Sequence, residues 1–278
     1  MNRRRFLAYL GIGAGAGAVA GRGLVAAQGA RDTPRQSAPG GPPPKETPNP
    51  TWRGSKRIVW SVDTDEPIAS LSFDDGPDPE FTPRILELLD RFQVKATFMV
   101  MGYNAVRNPG LLREVVDAGH EVGGHGWSHL NLTETSLAVT RYEIEHGNEV
   151  IEDQTGVPVR VFRPPYGRFG QEAVRVLARS RPDLIVWSVT RGLLSWRDPR
   201  HISSHVLGAM GPGDIVDLHD GIGRGTFSPR SARAQRIRRR REDEVQALDR
   251  ILEGAQERGL RLVTISDLMA AWRPQTQT

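Results

Sequence analysis

From Ile58 onward, short apolar or β-branched runs alternate with longer segments whose apolar residues recur at helical spacing. That alternation predicts parallel strands joined by crossover helices. The runs place strands near Ile68–Phe73, Ala96–Met101, Glu121–Gly123, Val159–Phe162, Leu184–Ser188, Asp214–Leu218 and Arg261–Thr264. The helices carry their own punctuation: Thr82-Pro83 predicts a cap followed by proline at the first helical position, and Asn108-Pro109 repeats it. Gly119, Gly156 and Gly259 suit C-terminal caps. A distorted (β/α) barrel of about seven parallel strands is the simplest closure, built from units that share a period but no sequence repeat.

The chain before Ile58 breaks this pattern. Arg3-Arg4-Arg5-Phe6-Leu7, an uncharged Gly/Ala-rich stretch to Gly21 and the small residues Ala26 and Ala27 predict an export signal over residues 1–27. The adjacent arginines resemble a twin-arginine signal. The apolar stretch is short and weakly hydrophobic for a membrane span, so cleavage near Ala27 and at most transient membrane association are expected, an uncleaved signal acting as an anchor being the alternative. Residues 28–56, with Pro42-Pro43-Pro44, bury too little apolar surface to order themselves and predict a linker. Residues 57–278 then suit one α/β catalytic domain, monomeric and exported to the periplasm, the cell envelope or beyond.

Composition narrows the chemistry. With 25% charged and 38% hydrophobic residues, neither a coiled coil nor a membrane bundle is indicated. The absence of Cys excludes disulfides, thiolate zinc sites and a cysteine nucleophile, so a metal must be held by His and carboxylates. The net charge of +4 comes almost entirely from Arg, with Lys only at Lys45, Lys56 and Lys95. The run Arg236 to Arg241 reads as a solvated loop and helix start, with Glu242, Asp243 and Glu244 as counter-charges; the sharper reading is a rim that attracts an anionic polymer. No aromatic-basic interleaving points to nucleic acid.

Four groups follow predicted strands directly. In Leu71-Ser72-Phe73-Asp74-Asp75-Gly76-Pro77, strand alternation points the two acids to opposite sides, so one can ligate a metal while its neighbour takes a proton from water. Alone, the same residues equally describe a helix-capping turn. In His125-Gly126-Trp127-Ser128-His129, a helical turn would set both imidazoles on one face, and one added carboxylate makes a three-ligand site with room for water. Arg163-Pro164-Pro165-Tyr166 offers a guanidinium to hold a carboxylate and a backbone N–H to face an oxyanion, or merely a structural ion pair. The last run, Asp214 to Asp220, delivers His219 at a strand end, where it can act as a general acid. Any one group has a bland reading. All four lie beyond the C-terminal ends of predicted parallel strands, where barrel enzymes build their sites, and that joint placement favours one active site.

Together these residues resemble the polysaccharide deacetylase family, the NodB-homology domain of chitin-oligosaccharide, chitin and peptidoglycan deacetylases, from roughly Pro67 to Asp267. The resemblance implies a hydrolase that releases acetate from an N-acetylated glycan, peptidoglycan or chitin-like. It implies that Asp74 is the general base and that Asp75, His125 and His129 bind a divalent metal, usually zinc. Arg163 would orient Asp74, Tyr166 would meet the substrate oxyanion through its N–H, and His219 would be the general acid. One motif departs from the family pattern, which has Asp before Trp where this chain has Ser195-Trp196. Without that carboxylate His219 is expected to hold its proton less strongly, with Asp198, Asp217 or Asp220 as replacements. Trp196 is expected along the sugar groove and Trp187 in the core. Two alternatives remain open: hydrolysis of other non-peptide C–N amide bonds, and a weakly active carbohydrate-binding homologue.

Overall fold

A computed structural model describes residues 58–192, 197–223 and 231–272. The predicted signal and linker, Ser195 and Trp196 lie outside them. Nine strands form one parallel-paired sheet among the described residues: β1 (Ile58–Val59), β2 (Ile68–Asp74), β3 (Thr97–Val100), β4 (Glu121–Gly124), β5 (Val161–Phe162), β6 (Asp183–Ile185), β7 (Val189–Thr190), β8 (Ile215–His219) and β9 (Arg261–Val263). Their order is β1-β6-β5-β4-β3-β2-β8-β7, with β9 on β2. An antiparallel bridge from Ser61 to Asp214 brings the chain after β1 against the start of β8. The sheet therefore curls into the distorted (β/α) barrel that the alternation predicts. Two strands were not predicted: β1 is a two-residue strand, and the Leu184–Ser188 run ends early so that β7 forms separately.

The crossovers are α1 (Thr82–Arg91), α2 (Gly102–Arg107), α3 (Pro109–Asp117), α4 (Leu137–Arg141), α5 (Gly147–Thr155), α6 (Gln171–Leu177), α7 (Pro199–Ala209), α8 (Ala232–Glu257) and α9 (Ile265–Ala270). A π-helical segment, Tyr142–His146, runs between α4 and α5. Gly119, Gly156 and Gly259 take φ of 79°, 71° and 67°, the left-handed conformation that ends a helix. Thr82 is a correction: it is the first helical residue rather than the cap, and its hydroxyl bonds Asp220 Oδ2 at 2.6 Å.

Strand alternation sorts the core into layers. On β2, Ala69, Leu71 and Phe73 pack outward against the helices with Leu89, Leu248 and Ile251. On β8, Val216 and Leu218 join the same layer. The opposite faces run Ile68, Ser70, Ser72, Asp74 on β2 and Ile215, Asp217, His219 on β8. Ile68 and Ile215 pack inside with Met99, Val161, Ile185 and Leu268. The inner surface thus changes from apolar to ionisable toward the C-terminal ends of the strands. Trp187 packs against two of the apolar clusters, as expected for a core residue.

Candidate active site

The register of β2 against β8 sets Ser72 beside Asp217 and Asp74 beside His219. Arg163, fully buried just past β5, reaches into this pair. Its Nη1 donates to Asp74 Oδ1 at 2.6 Å and to Ser72 Oγ at 2.8 Å, and lies 3.4 Å from Asp217 Oδ1; Nη2 donates to the Val186 carbonyl at 2.8 Å. The guanidinium therefore fixes Asp74 through one oxygen and leaves Oδ2 toward His125. Burial, reinforced by the Asp74 charge, pushes the Asp217 carboxyl up to about 7.

Asp75 leaves the strand at φ 83°, which corrects the expectation that the two acids face opposite sides. Both reach one imidazole: His125 Nε2 is 3.6 Å from Asp74 Oδ2 and 3.6 Å from Asp75 Oδ1. His129 Nε2 lies 3.1 Å from Asp75 Oδ1. The segment from His125 to His129 is a loop and not the helical turn expected; Gly126 at φ 77° and His129 at φ 64° fold it so that both rings converge. Of the four described non-glycine residues with positive φ, Asp75, His129 and Tyr166 are at this site, so the backbone strain is concentrated where the side chains are aimed.

The cluster suits a divalent cation. Ligand atoms of Asp75, His125 and His129 all lie within 4.8 Å of one another, and all three residues are buried. His125 Nδ1 pairs with the Arg163 carbonyl at 2.8 Å, which leaves Nε2 for a ligand. Asp75 Oδ1 is buried and makes no well-formed hydrogen bond, although His129 Nε2 lies 3.1 Å away; a cation between the two atoms would satisfy both. Burial opposes the Asp75 charge, but His129, Arg241 and His219 hold its carboxyl well below the usual range. Burial pushes the His125 imidazole down, toward the neutral form that ligates metals.

Tyr166 sits at φ 62° in the Pro-Pro loop, its ring edge-on to His129 at 4.5 Å. The hydrogen bonds of this loop, Gly167 N–H to Pro164 O and Arg168 N–H to Pro165 O, leave the Tyr166 N–H out. Its side chain is exposed, as a residue at the mouth of a site would be.

His219 differs from the expectation. Its Nδ1 lies 3.0 Å from Glu244 Oε2, on helix α8. Burial and Arg241 work against protonation, but Glu244 and Asp217 outweigh them and the imidazole is pushed up to about 9. Of the three carboxylates expected from sequence, none is hydrogen-bonded to His219. Asp198 caps α7 by accepting from Arg200 N–H at 2.9 Å, and Asp220 is engaged by Thr82. Only Asp217 contributes, through its charge.

The basic run is also corrected. It is helical, and Arg241 is buried: Nη2 donates to Asp75 Oδ2 at 2.9 Å, Nε to the Gly221 carbonyl at 2.6 Å and Nη1 to Glu244 Oε1 at 3.1 Å. Gly223 lies so close that a Cβ there would meet Asp75 Oδ2 at 2.8 Å. Sequence reading missed Arg241 and Glu244, although a signal was present. They fall in register with Val245, Leu248, Ile251, Leu252 and Ala255 on the inward face of α8.

A family model described as polysaccharide deacetylase matches residues 61–181. A peptidoglycan-N-acetylglucosamine deacetylase of Bacillus cereus is 32% identical over 76% of this chain and 92% of its own length. A chitooligosaccharide deacetylase of Bradyrhizobium is 33% identical over 71% of this chain and 89% of its own. Among solved structures, a CE4 family pseudoenzyme from Bacillus anthracis superposes with a TM-score of 0.67 at 26% identity, covering 79% of this chain and 71% of that one.

Proposed function

Since the chain belongs to the polysaccharide deacetylase family, we propose that it hydrolyses N-acetyl groups on peptidoglycan or a chitin-like glycan, using a divalent ion held by Asp75, His125 and His129. Because one structural neighbour is a pseudoenzyme, fold alone does not carry this reading. The observation that does is Asp74 beside the Asp-His-His cluster, with one oxygen fixed by Arg163 and the other turned toward His125. An all-N/O donor set of two imidazoles and one carboxylate suits zinc.

The chemistry such an ion supplies when bound is Lewis-acid polarisation of the acetamide carbonyl and acidification of water. Asp74 takes the proton from the attacking water, whose oxygen bonds to the carbonyl carbon. Arg163 holds Asp74 in place through Oδ1. The Tyr166 N–H donates to the developing oxyanion. His219 gives its proton to the departing amine as the C–N bond breaks, so acetate and a free amino sugar leave. Trp196 is proposed to line the sugar groove.

Acetate release from N-acetylglucosamine oligomers, chitin and peptidoglycan tests the reading. Release should cease with a chelator, return with zinc and be lost in His125→Ala. No acetate from any of the three substrates would sink it. We further propose that Arg3 to Arg5 direct twin-arginine export of the protein; unchanged export after replacing all three by Lys would remove that part.

A further inference from the structure

We propose that Glu244 on α8 is the positioning carboxylate for His219, standing in for the acid missing before Trp196; this rests on the deacetylase reading above. Glu244 is 2% exposed and both its oxygens are engaged. Oε2 is 3.0 Å from His219 Nδ1, while Oε1 is 3.1 Å from both Arg241 Nη1 and Arg191 Nε. Two guanidinium groups thus fix one oxygen and aim the other at the imidazole. With Nδ1–H donated to Glu244, Nε2 is the atom left to face the departing amine.

The charged groups around His219 come from three elements: Glu244 and Arg241 from α8, Asp217 from β8 itself, and Asp74 and Asp75 at the end of β2. Asp217 is a poor substitute for Glu244, because it lies toward Arg163 and its own carboxyl is raised by burial and Asp74. A purely structural role would make Glu244 only the counter-ion of Arg191 and Arg241. That role predicts no effect on the imidazole, and here the two readings separate.

The test compares wild type, Glu244→Gln and Glu244→Asp. Histidine-selective 15N NMR should show His219 titrating well above 6.5 in wild type and at least one unit lower in Glu244→Gln. The alkaline limb of kcat for acetate release should move down by a similar amount, with KM changed less than twofold and bound metal unchanged. Glu244→Asp should restore much of both. Superimposable His219 titrations in wild type and Glu244→Gln would overturn the proposal. Should Glu244→Gln not fold, the wild type decides through the contact itself: a protected, downfield Nδ1–H resonance of His219 supports the pairing and its absence overturns it. The expected NMR shift without acetate release from any glycan would count against the deacetylase reading and leave the Glu244–His219 pairing standing.

Discussion

At the scale of single residues, Asp74 is the sharpest test of the chemistry. Asp74→Asn keeps the size of the side chain and an acceptor for Arg163 but removes the base, so kcat should fall by about 10²–10⁴ while bound metal, measured by elemental analysis, is retained. Loss of metal together with activity would instead make Asp74 a ligand. His120 gives a prediction independent of the site. Burial, with Lys95 adding to it, pushes its imidazole down to about 4, and its Nδ1 accepts from Ala96 N–H at 3.2 Å. The unfolded chain binds this proton near pH 6.5, so the contribution of neutral His120 is fully present above that pH and is lost as pH falls toward 4. The loss is on the order of 3 kcal/mol. His120→Asn, which keeps an acceptor, should flatten the fall in Tm between pH 7.5 and 5; an equally steep fall would acquit His120. The motifs picked out residues that the fold brings together, Asp74, Asp75, His125, His129, Arg163, Tyr166 and His219. Direction was not legible. The placement of Asp75 and His129 depends on positive φ values, which Asp and His tolerate better than most residues but which most copies of them do not adopt.

At the scale of elements, the strand runs were legible because alternation and burial coincide on β2 and β8. Helix α8 was misread because a string of arginines outweighed its periodicity. The inward positions 241 and 244 follow from the same spacing as the apolar ones, but their partners, Asp75 and His219, lie far away in sequence. A different element contact predicts how the histidine loop is held. Gly147, where α5 begins after the π-helical segment, packs against that loop, and a Cβ there would fall 2.9 Å from the Gly126 carbonyl carbon. Backbone offers little room to yield, so Gly147→Ala should cost about 1–3 kcal/mol and displace His125 and His129 together. Thermal melts should show the lower Tm, and competition with a zinc indicator should show weaker metal binding. Unchanged metal affinity at a lowered Tm would mean that the loop is held from elsewhere.

At the scale of the whole molecule, the arginines of α8 are unevenly paired. Arg241 is spent on Asp75 and Glu244, but Arg236, Arg239 and Arg240 have no carboxylate within ion-pair distance among the described residues. Arg236, Arg240 and Glu244 follow one another at four-residue spacing on α8, so this cationic stripe leads along the helix toward the partner of His219. The half-buried Arg240 feels burial first and then Arg241, Arg197 and Arg236, all of which oppose its charge. An anion beside it would relieve that repulsion. Peptidoglycan with its stem peptides carries carboxylates; N-acetylglucosamine oligomers are neutral. Raising ionic strength from about 0.05 to 0.5 M shortens the screening length to a few ångströms. KM for peptidoglycan should therefore rise severalfold while KM for the neutral oligomer stays level, with kcat unaffected in both. Replacing Arg236, Arg239 and Arg240 by Gln should raise KM for peptidoglycan at low salt and abolish its salt dependence. Equal salt responses for the two substrates would return the stripe to an ordinary solvated helix face.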